Sequence, residues 1–337
     1  MKSFRASPSW ATYRTILAED FGLSLTQEPV ESFRPVRGHN IRVDEWLPSG
    51  EAKGTLVMVH GGGGNGRILA PIAEPMAQSG WRVIAPDLPG YGLTEPARSY
   101  HGDYSEWPKV VSEIAEAEPG PVVLMGLSMG GLTALLAAQR SKNVCALIVT
   151  TLLDLSDPEV FVRAARWRWL GRLSLLTMTL APWLFDRVVM PLSLATPLEK
   201  MSSSKRMQAY FQKDPLIGGS WKAARFFRSI HQHRVHSWSL HCPLLLAHPG
   251  ADAWTPTAMS LGVYEKVMGP KRVVELSNGS HLPAEQPAAG ELHDAMCAFL
   301  DDVAASSSTS SSVIATQRSG YSEQAPSGGL GPHWASE

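Results

Sequence analysis

Ser128 is the residue whose surroundings most clearly indicate a nucleophile. It is the centre of a Gly-Leu-Ser-Met-Gly pattern at 126–130, where an apolar strand-like run passes directly into a helix-like run. A serine on such a tight turn projects its hydroxyl away from the sheet, and the flanking glycines let neighbouring backbones pass. The helix N-terminus directs free N–H groups to the same place. We predict that Ser128 is a catalytic nucleophile; the alternative is a small residue in an ordinary turn.

A serine nucleophile needs a base to take its proton and a carboxylate to orient that base. Among eleven histidines, His281 is the predicted base because it follows the last predicted strand in a loop rich in turn residues. Asp252 follows the preceding strand in the same way. Sites in open α/β sheets form at these carboxyl ends of strands. We predict Asp252 as the acid, with Asp154, after the strand at 146–150, as the reserve acid; alternatively, Asp252 only shapes a turn.

A run of four glycines at 61–64 follows His60 and another strand-like run. Such a run lets backbone N–H groups face an anion, which is what an oxyanion hole requires. We predict the N–H groups of Gly62 and Met129 as its donors, and a structural role for His60. The alternative is a phosphate-binding loop, but Asn-Gly-Arg stands where a P-loop has its Lys-Ser/Thr pair.

The elements that position these residues alternate along the chain. Apolar runs predict buried parallel strands at 54–60, 82–87, 122–126, 146–150, 243–247 and 272–276, and weaker stretches at 33–37 and 40–46 predict antiparallel edge strands. Helical patterns lie between or after them, at 107–114, 132–138 and 292–300. This alternation predicts an α/β fold with a doubly wound, mostly parallel sheet of the eight-stranded type.

The alternation stops between residues 156 and 241, where no convincing strand is found but Pro-punctuated helical patterns and five of the eleven tryptophans occur. We predict a helical cap over one end of the sheet. It carries 13 Lys and Arg against 5 Asp and Glu, with an apolar run at 173–185. One interpretation is a lid with an apolar face for acyl chains and a cationic face for weak contact with an anionic membrane surface. The other is an ordinary cap whose arginines pair with the acidic core.

The predicted domains are an N-terminal helical extension at 1–30, a core formed by 31–155 and 242–303, the cap at 156–241, and a disordered Ser-rich tail at 304–337. Such a tail lacks the apolar side chains that would offset its ordering entropy. Because no secretory signal is visible and no apolar run reaches the roughly 20 residues of a bilayer span, we expect a cytoplasmic protein.

Composition excludes several classes of protein. The 337 residues are 44% hydrophobic and 18% charged, which suits a large core, and a net charge of −1 argues against a nucleic-acid partner. Three widely spaced cysteines exclude a disulfide scaffold and a zinc finger. Four cap histidines are close in sequence: His231, His233, His236 and His241. They have no accompanying carboxylate or cysteine pattern, so we expect a solvated basic face, no metal and no cofactor.

The chain resembles the serine hydrolases of the α/β-hydrolase fold, a group that includes monoglyceride lipases, lysophospholipases and C–C bond hydrolases. The resemblance covers roughly 50–155 and 240–300. It rests on the glycine loop after His60, the runs at 86–92 and 126–131, the Asp252 loop, and the Ser-His-Leu-Pro-Ala-Glu-Gln-Pro run at 280–287. The resemblance implies a Ser128–His281–Asp252 triad, in the chain order of this fold, and an acyl-enzyme that water cleaves. Pro249 and Ser280 stand where this group usually has glycine.

The nucleophile narrows the reaction. Dehalogenases and epoxide hydrolases of this fold need an aspartate where Ser128 stands, so serine indicates acyl transfer. Because carboxylic ester hydrolysis is the commonest such reaction, we predict an esterase that acts on a small-molecule ester with an apolar or lipid-like group. A C–C bond hydrolase or a small-substrate peptidase with the same triad, and a non-catalytic ligand-binding protein on this scaffold, are the alternatives.

Overall fold

The computed structural model describes residues 3–5 and 7–319 and contains ten strands. These are β1 (Val30–Val36), β2 (His39–Trp46), β3 (Thr55–Val59), β4 (Arg82–Pro86), β5 (Val122–Gly126), β6 (Val144–Val149), β7 (Val189–Pro191), β8 (Trp221–Ala223), β9 (Leu244–Pro249) and β10 (Lys271–Leu276). Eight of them form one sheet in the order β1-β2-β4-β3-β5-β6-β9-β10. The predicted α/β fold with an eight-stranded sheet is confirmed.

The sheet is parallel from β4 to β10 in spatial order, and only the β1–β2 and β2–β4 pairs are antiparallel. Every residue of β3 and β5 is buried. This burial explains their continuous apolar runs, because a strand covered on both faces has no solvent side to mark with polar residues. The carboxyl ends of β3, β5, β6, β9 and β10 therefore lie along one edge of the sheet.

Twelve α-helices accompany these strands in the described part of the chain. They are α1 (Pro8–Phe21), α2 (Ala70–Gln78), α3 (Glu106–Ala117), α4 (Met129–Ala138), α5 (Pro158–Ala164), α6 (Arg168–Leu180), α7 (Pro182–Phe185), α8 (Leu192–Ala195), α9 (Lys205–Lys213), α10 (Ala224–Gln232), α11 (Thr257–Tyr264) and α12 (Ala288–Ser319). All ten residues of α4 are buried, as its uniformly apolar sequence predicts. Helix α3 buries the predicted stripe of Trp107, Val111 and Ile114.

The segment between β6 and β9 is largely helical, with α5 to α10, but it also contains a two-stranded antiparallel sheet of β7 and β8. The expectation that residues 156–241 contain no strand was therefore wrong. Each of these strands has only three residues, which is too few to show an alternation of apolar and polar side chains. We call residues 156–241 the cap.

The predicted tail also differs from the structure at its beginning. Helix α12 runs to Ser319, so the stretch at 304–319 is helical where a disordered tail was expected. A helix that packing has already nucleated, here through Leu292 and Met296, extends at little cost per added residue. The rest of the predicted tail, 320–337, lies outside the described residues.

Helix α1 connects the core to the cap. The Tyr13 hydroxyl of α1 donates a hydrogen bond to Ile68 O at 2.9 Å. The Tyr13 ring stacks on Tyr210 of the cap, with 5.3 Å between ring centroids. Arg206 of the cap pairs with Glu19 at 2.6 Å and with Asp20 at 2.8 Å. The N-terminal extension thus holds α9 against the core.

Within the described residues, no helix combines the length and the apolar character that crossing a bilayer would require.

Candidate active site

Ser128 lies on the sharp turn between β5 and α4. Its backbone has φ +56° and ψ −128°, and it is one of only two non-glycine residues with positive φ in the described chain. Such a conformation costs roughly 1–3 kcal/mol and persists only where its surroundings enforce it. A Cβ on Gly126 would lie 2.3 Å from Gly130 O, and a Cβ on Gly130 would lie 2.2 Å from Val59 O. The two glycines therefore permit the backbone crossing that this turn requires.

The glycine loop after β3 packs directly against Ser128. A Cβ on Gly61 would lie 2.7 Å from Ser128 Cβ, and a Cβ on Gly62 would lie 3.3 Å from Met129 Cε. Helix α4 begins at Met129, and the first N–H groups of a helix have no partner within it. Gly62, Ser128 and Met129 line one cavity. The predicted donors and the predicted nucleophile are therefore neighbours.

His60 holds the glycine loop in place through hydrogen bonds of both ring nitrogens. Its Nε2 accepts the Leu88 N–H at 2.9 Å, so Nδ1 carries the ring proton and donates it to Gly61 O at 2.8 Å. Burial lowers the pKa of His60 to about 4, which keeps the ring neutral at pH 7. Asp87 holds the far end of the loop, since its Oδ1 accepts the Gly66 N–H at 2.7 Å. These contacts give His60 the structural position that was predicted.

Asp252 and His281 meet at the carboxyl ends of β9 and β10. His281 Nδ1 lies 2.7 Å from Asp252 Oδ2, and both residues are buried. Thr255 Oγ1 donates to the same carboxylate oxygen at 2.7 Å, and the N–H groups of Trp254 and Thr255 reach Oδ1 at 2.8 and 2.9 Å. The carboxylate is thus fully held, and its Oδ2 faces the imidazole.

These contacts control the charge of Asp252. Burial favours the neutral acid, but His281 and the hydrogen bonds from Thr255 outweigh it and lower the pKa of Asp252 to about 2. The carboxylate therefore stays ionised at every pH at which the protein would ordinarily be assayed. An ionised acid fixes the proton on Nδ1 and leaves Nε2 as the basic nitrogen of His281.

The Nε2 atom of His281 is buried and has no hydrogen-bond partner among the described residues. The Trp254 ring lies against the imidazole, with 4.7 Å between centroids, and Trp254 and Thr255 line the same cavity as Ser128. An unpaired buried nitrogen is costly, so it indicates a position kept for a proton transfer or a ligand. The structure thus brings Asp252 and His281 into direct contact and places them beside the wall of the cavity that Ser128 lines.

Three residues that support this arrangement were not identified from the sequence. Trp254 and Thr255 lie two and three positions after Asp252, and an Asp side chain commonly accepts a hydrogen bond from the backbone two residues on. Glu285 accepts the Ser280 N–H at 2.9 Å and the Ser280 hydroxyl at 2.5 Å, which braces the loop of His281. The serine that replaces the usual glycine therefore has a role in holding this loop.

The other predicted candidates lie elsewhere. Asp154 Oδ1 accepts hydrogen bonds from Ser156 N at 3.0 Å and Ser156 Oγ at 2.6 Å, so its contacts shape a turn at the start of the cap. His231 bonds Leu155 O at 2.9 Å and His241 bonds Val144 O at 3.1 Å. No cluster of three or more His, Cys, Asp or Glu able to hold a metal ion occurs in the part of the chain that the structure describes.

A cavity that is partly open to solvent lies between Ser128 and the cap. Its walls are mostly aliphatic and aromatic side chains of the cap, including Leu170, Phe185, Leu192, Phe227 and Ile230. No acidic or basic side chain is among the described residues that line it. A lining of this kind suits an apolar group of a small molecule.

The parallel sheet, the serine turn and the buried Asp–His pair define a serine hydrolase of the α/β-hydrolase fold. The chain belongs to the Hydrolase_4 family, described as serine aminopeptidase, S33, whose model matches residues 50–285. The resemblance noted from the sequence is thereby confirmed.

Named relatives and solved structures agree with this class. A pimeloyl-[acyl-carrier protein] methyl ester esterase of Vibrio vulnificus (strain CMCP6) is 25% identical over 71% of this chain and 91% of its own length. One from Shewanella sp. (strain MR-7) is 40% identical, but the match covers 34% of this chain and only 39% of the relative. A Saccharomyces cerevisiae monoglyceride lipase superimposes with a TM-score of 0.66 at 18% identity, covering 82% of this chain and 96% of that one. These names support the prediction that the chain is an enzyme of the carboxylic ester hydrolase class.

Proposed function

We propose that the chain hydrolyses carboxylic esters with an apolar acyl group through an acyl-enzyme on Ser128, with His281 as the base and Asp252 as the orienting acid. The observation that carries this proposal is the buried Asp252–His281 pair: His281 Nε2 has no partner among the described residues, and the adjacent Trp254 and Thr255 line the cavity of a serine held at positive φ. A histidine with only a structural role would not need an ionised carboxylate at Nδ1 together with an unpaired acceptor at Nε2.

The reaction follows from these groups. His281 Nε2 takes the Ser128 hydroxyl proton as Oγ attacks the ester carbonyl, and the N–H groups of Gly62 and Met129 stabilise the resulting oxyanion. His281 then gives its proton to the leaving alkoxide, which departs and leaves the acyl group on Oγ. A water molecule, deprotonated by the same nitrogen, cleaves that ester and releases the acid. Asp252 stays ionised and stabilises the imidazolium in both steps.

The lining of the cavity favours an uncharged, apolar substrate. An aminopeptidase binds a cationic amine and needs a carboxylate for it, whereas no charged side chain is among the described residues that line this cavity. The names of the relatives, methyl ester esterases and a monoglyceride lipase, likewise support an ester substrate. A C–C bond hydrolase with the same triad is the second candidate, because its substrates are also apolar and the mechanism of acyl transfer is shared.

A fluorophosphonate probe tests the nucleophile, because it labels only an activated serine. We expect stoichiometric labelling of the protein and none of Ser128→Ala. The matched control is Ser174→Ala, since Ser174 also lines the cavity, and this variant should label as the unaltered protein does. Labelling that persists in Ser128→Ala would contradict the assignment.

A substrate panel tests the bond. p-Nitrophenyl esters from C2 to C16 should be cleaved, with kcat/KM rising beyond C4 as the chain fills the cavity, and the matching p-nitroanilides should be cleaved far more slowly. Anilides or C–C substrates that react faster than every ester would remove ester hydrolysis while leaving Ser128 as the nucleophile.

A further inference from the structure

Helices α6 and α7 of the cap present large apolar side chains to solvent. On α6 these side chains recur at intervals of four, three and four residues, so they lie on one side of the helix, and α7, which follows directly, adds two more. We define the outer cap face as Trp169, Leu173, Leu176, Leu180, Trp183 and Leu184. Leu180 is 73% exposed and Trp183 is 63% exposed, values that leave most of each side chain in water. Contiguous apolar exposure of this kind marks a surface that binds something.

The opposite side of α6 belongs to the substrate cavity. Leu170 and Ser174 line the cavity, and Gly171 and Met178 are buried. The outer apolar side chains are therefore not required for packing the cap, because α6 already buries a separate set. A helix that is apolar on both sides separates the cavity from the medium by a single layer.

Positive charge surrounds the outer cap face. Arg168, Arg172 and Arg187 are exposed beside it, and the Arg187 guanidinium lies 5.5 Å from the centre of the Trp183 ring. Two acids lie near this face, and both are paired: Glu159 with Arg163 and Arg168, and Asp186, next to Arg187, with Arg228. The surface therefore combines aromatic and aliphatic side chains with an excess of arginine.

We propose that the outer cap face binds an anionic lipid surface. Tryptophan and leucine partition into the interfacial region of a bilayer, and arginine at its edge pairs with anionic head groups. A second copy of this chain would fit less well, because a two-fold contact would set the same arginines near one another without added acids. The lipid would lie on the outer side of the helix whose inner side lines the cavity, so an apolar substrate would need to pass only α6 to reach Ser128.

Vesicle flotation at low salt tests this proposal, and the Ser128→Ala variant keeps any lipid intact. We expect binding to vesicles with 30% phosphatidylglycerol (an amount chosen on the order of natural anionic membranes) at least tenfold stronger than to pure phosphatidylcholine. Adding Leu176→Gln and Leu180→Gln should weaken anionic-vesicle binding at least tenfold without loss of fold, since both side chains are exposed and Gln is a good helix former. The matched control replaces two exposed apolar residues outside the cap, as Met268→Gln with Val273→Gln. This variant should bind vesicles as Ser128→Ala alone does.

Further measurements test the arginines separately and distinguish a lipid surface from other binding partners. Arg168→Gln with Arg172→Gln should remove most of the preference for anionic vesicles, and 0.5 M salt should do the same because exposed charges are screened within a few ångströms. Equal binding of the leucine variant and the parent would overturn the proposal. So would sedimentation showing a dimer that the leucine variant dissolves, or binding to an acidic acyl-carrier protein with none to vesicles. Because flotation measures no catalysis, it stands apart from the test of Ser128.

Discussion

The two halves of the cap differ in how they are attached to the molecule. The second half, α8 to α10, shares the main hydrophobic core through residues such as Leu192, Leu198 and Phe211. In the first half, α6 and α7 contribute to a separate small cluster around Phe161, Met178 and Phe185. The second half therefore gains the stability of the whole core, and α6 and α7 depend mainly on contacts within the cap, Ala224 of α10 included.

Contacts with the loops around the candidate site show the same difference between the two halves. A Cβ on Gly63 of the glycine loop would lie 2.5 Å from Leu192 Cδ2, and Leu282, next to His281, donates its N–H to Met201 O at 3.0 Å. Lys222 donates to Gly90 O at 2.5 Å and lies 3.7 Å from the centre of the Tyr91 ring. The second half is thus built against the loops that carry the proposed chemistry. Both halves line the cavity, but in the first half, on α6 and α7, an apolar outer face remains exposed to solvent.

The largest expected effect tests whether the chemistry belongs entirely to the core. Asp252→Asn should lower kcat/KM for a p-nitrophenyl ester by about 10³–10⁴-fold, because an amide favours the wrong tautomer of His281. Asp154→Asn, which alters a buried acid at the start of the cap, should lower it by less than tenfold. Steady-state kinetics with both variants gives the comparison. A fall of less than tenfold in Asp252→Asn, with a large fall in Asp154→Asn, would transfer the role of the acid to Asp154.

The second prediction compares the two halves directly by placing a phenylalanine in each. Ile230 of α10 and Leu170 of α6 both line the cavity, but only Ile230 belongs to the main hydrophobic core. Ile230→Phe should lower kcat/KM for C12 esters by about 10- to 100-fold, because a wall packed in the core does not yield and overpacking costs about 1–3 kcal/mol. Leu170→Phe should cost less than fivefold, since α6 lies outside that core and can shift. C2 esters should be little affected in both. Equal losses would show that the halves are equally rigid.

The smallest expected effect concerns the pH dependence of the free energy of unfolding, to which the buried His60 contributes. The pKa of His60 is about 4 in the folded chain against 6.5 ordinarily, so between these values the unfolded chain binds a proton that the folded chain does not. Stability should therefore fall as pH falls from 6.5 to 4, with His60 contributing on the order of 1 kcal/mol per pH unit. Urea unfolding at pH 7, 6 and 5 gives the free energy of unfolding at each pH, and for His60→Asn this free energy should fall less steeply as the pH falls. An equal fall in the variant and the unaltered protein would mean that the His60 ring is not held neutral.

Much of the site followed from short-range sequence signals. The glycines around Ser128 indicated a turn with no room for a Cβ, and the structure shows backbone oxygens within 2.3 Å of where two such atoms would lie. His281 and Asp252 were chosen because each follows a predicted parallel strand, and parallel strands bring their carboxyl ends to one edge. Only the strand before Asp252 is buried; β10, before His281, is an edge strand with mostly exposed residues. Thr255 and Glu285 were missed, because a hydroxyl or carboxylate near a loop gives no sign of which atom it will bind.

The sequence by itself determined the alternation of strands and helices, and with it the sheet, the serine turn and the edge where the acid and the histidine meet. These features depend on local periodicity and on the rule that parallel strands end together. Only the tertiary structure decided what the cap does with its apolar residues. Helix α6 is apolar on both sides, so its pattern is the same whichever side faces the cavity. Packing against α5 and α10 buries Met178, turns Leu170 to the cavity and leaves Leu180 in water, because only one side of a helix can face the rest of the molecule at a time.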